Sequence, residues 1–265
     1  MKTLVAFASL WFATAGQTAV VVPQAGSYEV LIPAAASTPG ANGTFFRSDI
    51  AVVNLVPRDQ VVRFEWLPQG GGAVGITTIT LAGNTAIRSA DFVATQLGRS
   101  GLGSILITGI NAGGFTDLNA KLFVSVRVWS PQPGSSGTTS QSLPAIPTSA
   151  IDMQSAVLYA VGGADNPLNY RANVGIVNLD PTNAQSFRIS MPAPLGPEVP
   201  TIDVTVPPMS MQQVSIGSGV SSSQKVLIDN TTATGKSNLW LAYGSSVDNV
   251  TGDAWSEIAI ANSSQ

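Results

Sequence analysis

Oxygen-bearing side chains concentrate near the end of the chain, where Asp248, Asn249 and Asp253 lie within one short polar segment. Carboxylate and amide oxygens are the ligands that Ca²⁺ prefers, so these three residues are the candidate metal ligands. The segment lacks the alternating spacing and closing glutamate of an EF-hand loop. Its Asp-Asn-x-x-Gly pattern is also typical of a turn. Two interpretations stay open: a calcium site, or a turn in a protein that has no cofactor.

Few other groups could support catalysis, since the sequence contains no histidine and no cysteine. Triads that need an imidazole or a thiol are excluded. Glu65 lies beside Trp66, and Glu257 lies two residues from Trp255, but each half of the chain has only one such glutamate. A glycosidase needs two facing carboxylates. We therefore predict no catalytic residues and no enzymatic activity, and a secreted glycosidase is the least favoured alternative.

An internal repeat determines the elements that hold these residues. Residues 46–57, FRSDIAVVNLVP, return 124 positions later as residues 170–181, YRANVGIVNLDP. In both copies the apolar residues form a strand-like run that ends at Asn-Leu-x-Pro. We infer a tandem duplication with a boundary after Pro147.

Short runs rich in Val, Ile, Thr and Phe, separated by Gly, Pro and Asn about every ten residues, predict an all-β fold. Without cysteine, each copy must bury its own core. The predicted fold is two tandem antiparallel β-sandwiches, residues 16–147 and 148–265. One helix is predicted over residues 89–98, with Ser89 as its cap. The predicted strands are 28–33, 47–55, 60–67, 76–81, 85–89, 104–109, 122–129 and 138–146, and then 156–161, 172–179, 184–190, 201–206, 211–216, 225–230, 238–246 and 254–260.

The first fifteen residues have the pattern of a secretory signal: Lys2, an apolar stretch, and small residues before a cleavage site after Ala15. A membrane-spanning helix needs about 20 apolar residues, and no segment provides them. We predict a signal peptide over residues 1–15 and a secreted or cell-surface protein. Charged residues make up only 10% of the chain, and the basic ones are scattered, so nucleic acid is not a predicted partner.

Two pairs of residues share a position in the repeat: Arg47 with Arg171, and Asn54 with Asn178. We predict structural roles for them, with each Asn bonding its own turn and each Arg reaching carbonyls or a carboxylate such as Asp49. A doubled ligand site is the alternative. Most of five aromatic residues on predicted strands are assigned to the cores, although an exposed pair would form a glycan-binding face. These are Trp66, Trp129, Trp240, Tyr243 and Trp255.

Four phrases support a resemblance to a known group: residues 32–34 with 37–49, the Arg-x-Asp/Asn run in both copies, residues 206–208, and residues 246–254. They resemble an uncharacterised group of secreted bacterial β-sandwich modules, found singly, in tandem or appended to exported enzymes. The resemblance implies an immunoglobulin-like sandwich outside the cell and brings no activity. The first copy lacks the phrase that contains Asp248 and Asp253, so any role of these residues belongs to the second copy.

We therefore predict a secreted, non-enzymatic structural or adhesive protein, such as a filament or surface-layer subunit. Its partners would be further copies or other surface proteins. The apolar segment 19–36 could join copies by adding a strand to an exposed sheet edge. Alternatively, that strand packs on its own first half. A carbohydrate-binding module with glycan partners is the alternative function.

Overall fold

The structure is a computed structural model that describes residues 26–132, 136–163, 166–192, 201–221 and 223–262, without the side chain of Asn42. These residues form an all-β protein of antiparallel sheets, as the sequence predicts. No helix in these ranges is long and apolar enough to cross a membrane. The predicted signal peptide, residues 1–15, lies outside the described residues.

The first half, residues 26–147, contains nine strands of one sheet. They are β1 (Glu29–Pro39), β2 (Phe45–Asn54), β3 (Gln60–Pro68), β4 (Gly75–Leu81), β5 (Ala86–Ser89), β6 (Gly101–Ile110), β7 (Leu122–Pro131), β8 (Thr138–Pro144) and β9 (Ile146–Pro147). Their order in the sheet is β4-β3-β6-β1-β2-β7-β8, with β5 paired to β2 and β9 paired to β1.

The second half, residues 148–262, contains two separate sheets. Its strands are β10 (Ser155–Leu158), β11 (Tyr170–Asn178), β12 (Gln185–Ser190), β13 (Ile202–Val206), β14 (Ser210–Ser218), β15 (Val226–Asn230), β16 (Trp240–Asp248), β17 (Ala254–Ile258) and β18 (Ile260–Ala261). One sheet has the order β13-β12-β15-β10-β18 and the other β14-β11-β16-β17. Phe187 of the first sheet packs on Trp240 of the second, with ring centroids 4.8 Å apart, so the two sheets enclose a core.

The two halves repeat the same strand pairing. β2 pairs with β5 and β7, as β11 pairs with β14 and β16. β3 pairs with β4 and β6, as β12 pairs with β13 and β15. β1 pairs with β6 and β9, as β10 pairs with β15 and β18. The internal repeat of the sequence is thus repeated in the topology. The first half differs because β1 also pairs with β2, which joins its strands into one sheet.

β1 is buried from Val30 to Ser37 without alternation. Because neighbouring strand residues point to opposite faces, continuous burial means that both faces are covered. β1 contacts β11 and β16 of the second half, besides its partners in its own sheet. The described part of the predicted joining segment therefore packs on its own first half, while residues 19–25 lie outside the described residues.

The predicted helix over residues 89–98 is too long. Only Phe92–Thr95 is helical, and Asp91 before it has a φ of 45°. Ser89 does not cap the helix; its hydroxyl lies 3.1 Å from that of Thr95. The helical turn is held mainly by burial of Phe92, whose ring centroid is 4.9 Å from that of Phe64. Three 3-10 turns complete the described elements, at Ala41–Gly43, Thr148–Ala150 and Pro167–Asn169.

Asn54 and Asn178 each join the ends of a turn through the same set of buried hydrogen bonds, which we call the Asn clamp. The Asn54 amide donates to the carbonyls of Arg58, Leu81 and Ala82, and its oxygen accepts from the amide of Val56. The Asn178 amide donates in the same way to three carbonyls, and its oxygen accepts from Asp180 N–H; the three carbonyls belong to Asn183, Val206 and Pro207. The structural role predicted for both residues is confirmed.

Candidate functional site

One sheet face of the second half is covered by the first half. On this face the side chains of Val177, Met211, Leu241 and Tyr243 are at most 1% exposed. β14 contacts β3 and β6, and β11 and β16 contact β1. Gly70 N–H donates to the Met211 carbonyl at 2.9 Å, which ties the two halves together through the backbone. The interface is therefore built from polar and apolar contacts along three strands of the second half.

The equivalent face of the first half is open to solvent. The Asn clamps and strand pairing identify equivalent residues, which are Val53 and Val177, Ala86 and Met211, Phe123 and Leu241, Ser125 and Tyr243, Arg127 and Ser245, and Trp129 and Val247. Phe123 is 44% exposed, whereas Leu241 is 1% exposed. Ala86 and Ser125 are also exposed. The same face is thus an interface in one half and a free surface in the other.

A cavity of about 350 Å³ lies where the halves meet. From the first half it is lined by the small residues Ala34, Ala35 and Ala36 and by the amide side chains of Gln69 and Gln141. From the second half it is lined by Arg171, Asn173, Gln213, Tyr243 and Ser245, among others. Its size is at the lower end of the range for small-molecule sites, about 300–1,000 Å³.

Arg171 lines this cavity and also a smaller one beside it. Its guanidinium donates a hydrogen bond to the side-chain oxygen of Asn249. No carboxylate of the described residues lies within ion-pair distance of it. Burial lowers the pKa of Arg171, because the charged form loses hydration. The Arg171 guanidinium thus has a neutral partner, Asn249, which lines the smaller cavity together with Asp248.

Tyr243 forms the floor of the cavity, and its phenol donates to the side-chain oxygen of Gln213 at 2.9 Å. Burial raises the pKa of this phenol well above its usual value, so it stays neutral. The side-chain oxygen of Gln141 is buried and accepts no hydrogen bond from the described residues. Buried polar atoms normally have partners, so this oxygen is an exception among the described residues.

The three predicted metal ligands lie together in the hairpin turn between β16 and β17. The Asp248 carboxylate accepts bonds from Val250 N–H and the Thr251 hydroxyl, and these bonds lower the pKa of Asp248. Asp253 accepts from Ala254 N–H at 3.0 Å, and Asn249 accepts from Arg171. No group of three or more acidic, histidine or cysteine residues in the described ranges could hold a metal ion. These hydrogen bonds form the turn, and the calcium site at Asp248, Asn249 and Asp253 stays a prediction.

A charged cluster that the sequence analysis missed lies on the open face of the first half. Arg47 lies 3.6 Å from the Asp91 carboxylate and 5.3 Å from the centroid of the Trp129 ring. The Trp129 indole donates to Asp49 at 2.8 Å, and Arg88 lies 3.7 Å from that carboxylate. The partner of Arg47 is thus Asp91 rather than the predicted Asp49. Both carboxylates are paired with arginine, which is a structural arrangement.

The aromatic residues divide into three groups. Trp66, Trp240 and Tyr243 are buried, as predicted, and Trp129 is half-buried. Trp255 is 58% exposed and is therefore not a core residue. Tyr159 is 51% exposed and lies near the same strand, since the Glu257 carboxylate accepts bonds from the amides of Tyr159 and Ala160. These two exposed rings do not share a flat sheet face.

Models of known protein families give no match to this chain, and a search of curated proteins gives none either. The cavity is therefore defined by its geometry alone. Sequence reasoning missed it because Asn173, Gln213 and Ser245 lie at alternate positions of strands, where polar residues usually face solvent. The one available signal was the repeat position of Arg171, which the sequence analysis assigned to structure.

Proposed function

We propose that this protein is an exported, non-enzymatic structural or adhesive protein whose copies join head to tail. The proposal rests on one difference between the halves. The sheet face of β11, β14 and β16 in the second half is buried against the first half, whereas the equivalent face of β2, β5 and β7 in the first half is exposed. A second copy could cover the exposed face as the first half covers its equivalent. Contacts of this kind between unlike surfaces generate filaments when the rotation between copies does not close a ring.

The surface that would receive the next copy is also exposed. By strand pairing, Trp255 is equivalent to Gln141, which lies at the interface of the halves. Tyr159 is the residue after β10, and by strand pairing its equivalent in the first half is Pro33 of β1. Exposed aromatic residues are typical anchors of protein interfaces. Thus the receiving surface of the second half has two large rings that are free for contact.

The charges of the two free surfaces are weakly complementary. The open face of the first half contains three arginines, Arg47, Arg88 and Arg127, against Asp49 and Asp91, and the receiving surface of the second half contains Asp253 and Glu257. Opposite charges favour the correct pairing and speed up association. An arginine beside an exposed tryptophan adds a cation–π attraction. Both kinds of contact support docking of a further copy.

We include in this proposal the finer fold assignment, an immunoglobulin-like sandwich in each half. The supporting features are two facing antiparallel sheets in the second half and nine short strands in each half. The strand order differs from that of immunoglobulin constant domains, in which the second strand pairs with the first and fifth. Here the second strand of the first half pairs with the seventh as well as with the first and fifth. The likeness would thus concern architecture and not strand order.

Face-to-face docking replaces strand addition as the joining mechanism in this proposal, because β1 is already paired within its own half. Deletion of residues 16–25 should therefore leave assembly unchanged. The proposed absence of catalysis is supported by the lack of histidine and cysteine and by the arginine partners of Asp49 and Asp91.

Light scattering after size-exclusion chromatography and negative-stain microscopy, over a range of concentrations, test this proposal. We expect oligomers that grow with concentration. Trp255→Arg blocks the receiving surface and Phe123→Arg blocks the open face, so each variant alone should be monomeric. Mixed together, the two variants should form a dimer, because each retains the surface that the other lacks. Phe115→Arg, at an exposed loop residue, is the control.

A monomer at all concentrations would refute the proposal, and so would a closed dimer that neither substitution disrupts.

A further inference from the structure

The cavity between the halves has the composition of a binding site for one small, polar, negatively charged molecule. Its lining combines four alanines, four amide side chains, a phenol, a serine and a threonine hydroxyl and one arginine, together with several apolar residues. Amides supply both donors and acceptors, as hydroxyl groups of a ligand require. None of the described residues that line it is acidic or a lysine. Arg171 is therefore the only charged residue among the described residues that line the cavity.

The surroundings of Arg171 indicate the ligand's charge. A guanidinium binds a carboxylate through two parallel hydrogen bonds, which is the strongest neutralisation available to it. Arg47 has such an acidic neighbour, Asp91, at 3.6 Å. Arg171 has the amide oxygen of Asn249 instead. One arginine neutralises one carboxylate, whereas a doubly charged phosphate would leave a negative charge in a cavity without a second cation.

The size and the amide side chains indicate the rest of the ligand. About 350 Å³ accommodates a molecule of about one sugar ring and not a chain. Gln141 lines the cavity, and a side-chain amide can hydrogen-bond a ligand hydroxyl. The Gln213 oxygen already accepts from Tyr243, so its NH₂ group is oriented to donate.

We propose that this cavity binds a hydroxylated carboxylate of about one sugar ring, an acidic monosaccharide, with its carboxylate on Arg171 and a hydroxyl on Gln141. The site is independent of the head-to-tail assembly, because all its residues lie within one chain. It would make the protein a receptor for acidic glycans at the junction of its two modules.

Isothermal titration calorimetry of the purified protein with glucuronate, and with glucose as the neutral match, tests this inference. We expect glucuronate to bind and glucose to bind at least about tenfold more weakly, because glucose has no carboxylate for Arg171 to neutralise. Arg171→Gln should weaken glucuronate by a similar factor and leave glucose unchanged. Arg99→Gln, at an exposed arginine that does not line the cavity, is the matched control.

Ser245→Leu fills the cavity from another strand while Arg171 is retained, and it should abolish binding of both sugars. Thermal melting of each variant checks that it folds. Equal binding of glucose and glucuronate, no binding of glucuronate, or unchanged binding by Arg171→Gln or Ser245→Leu would each overturn the inference. None of these results depends on whether copies assemble.

Discussion

Arg47 and Arg171 occupy the same repeat position in two surroundings. Arg47 lies between an acidic partner and two aromatic rings on a face that solvent reaches. Arg171 lies at a cavity between the halves, beside a single amide. The backbone positions match, so the difference comes from what covers the sheet. A duplicated residue can therefore keep its place in the fold and change from a structural to a binding role.

Asn54 and Asn178 show the opposite behaviour. Both are fully buried, and both bond three carbonyls and one amide of the same turn. The clamp serves the turn within each half, so the docking of the halves does not affect it. Local backbone hydrogen bonding constrains a residue more tightly than its position on an outer face.

Removing either Asn side chain should have the largest effect on stability, and it tests whether the two turns are energetically equivalent. Asn54→Ala and Asn178→Ala should each lower the free energy of unfolding by about 3 kcal/mol, because buried carbonyls lose their donors. Urea denaturation monitored by fluorescence measures the loss. Asn119→Ala, at an exposed turn residue, should change stability by less than about 0.5 kcal/mol. A large loss for only one of the clamps would show that the two turns are not energetically equivalent.

The arginine pair tests the difference between the faces. Arg47→Gln should reduce stability by about 1 kcal/mol, since it removes stacking on Phe45 and Trp129 and an ion pair with Asp91. Arg171→Gln should have an effect within about 0.5 kcal/mol, because its desolvated charge has no acidic partner. The same denaturation assay compares them. If Arg171→Gln proved as destabilising as Arg47→Gln, the assigned roles would have to be revised.

A smaller, pH-dependent effect is expected next to the second clamp, where Asp180 replaces Val56 of the first half. Burial would raise the pKa of Asp180, but bonds from Thr182 and Asn183 outweigh it, so the pKa is lowered. A lowered pKa stabilises the fold above the unfolded value of 3.8, and this stability is lost as the pH falls through the folded value. Asp180→Asn should therefore reduce stability by about 1 kcal/mol at pH 7.

The loss caused by Asp180→Asn should shrink as the pH falls below about 4, where the wild-type carboxyl becomes neutral. Thermal melting as a function of pH measures it. A constant difference between wild type and variant from pH 7 to pH 3 would contradict the proposed cause. Val56→Ala, at the equivalent position without a carboxyl, is the control and should show no such pH dependence.

Most strands could be predicted from the sequence, because alternating apolar residues and turn residues are local signals. The segment predicted as 60–67 is observed as Gln60–Pro68, and 184–190 as Gln185–Ser190. The long helix failed because Asp91 adopts a left-handed backbone conformation that its surroundings impose. The pairing of β1 with β2, and the register shift of β1 against β6 between Ile32 and Ala35, are set by non-local contacts that no local pattern shows.

The candidate site could not be predicted for a related reason. Whether an outward-facing residue meets solvent or another module depends on contacts between distant parts of the chain. Asn173 and Gln213 are ordinary exposed strand residues by sequence, and only the docking of the halves encloses them. The predicted ligand turn was recognised as a polar turn, but its proximity to Arg171 was not.

The close approach of Gly175 to Tyr243 limits how the second half could have changed over time. A Cβ atom at Gly175 would lie 2.1 Å from the Tyr243 ring, which no side chain tolerates. The equivalent pair in the first half is Ala51 and Ser125. Starting from such a pair, the tyrosine could be accepted only after the alanine had become glycine. The two substitutions are therefore coupled in their order as well as in their energy. Once Tyr243 is present, replacing Gly175 alone would create a clash with its ring.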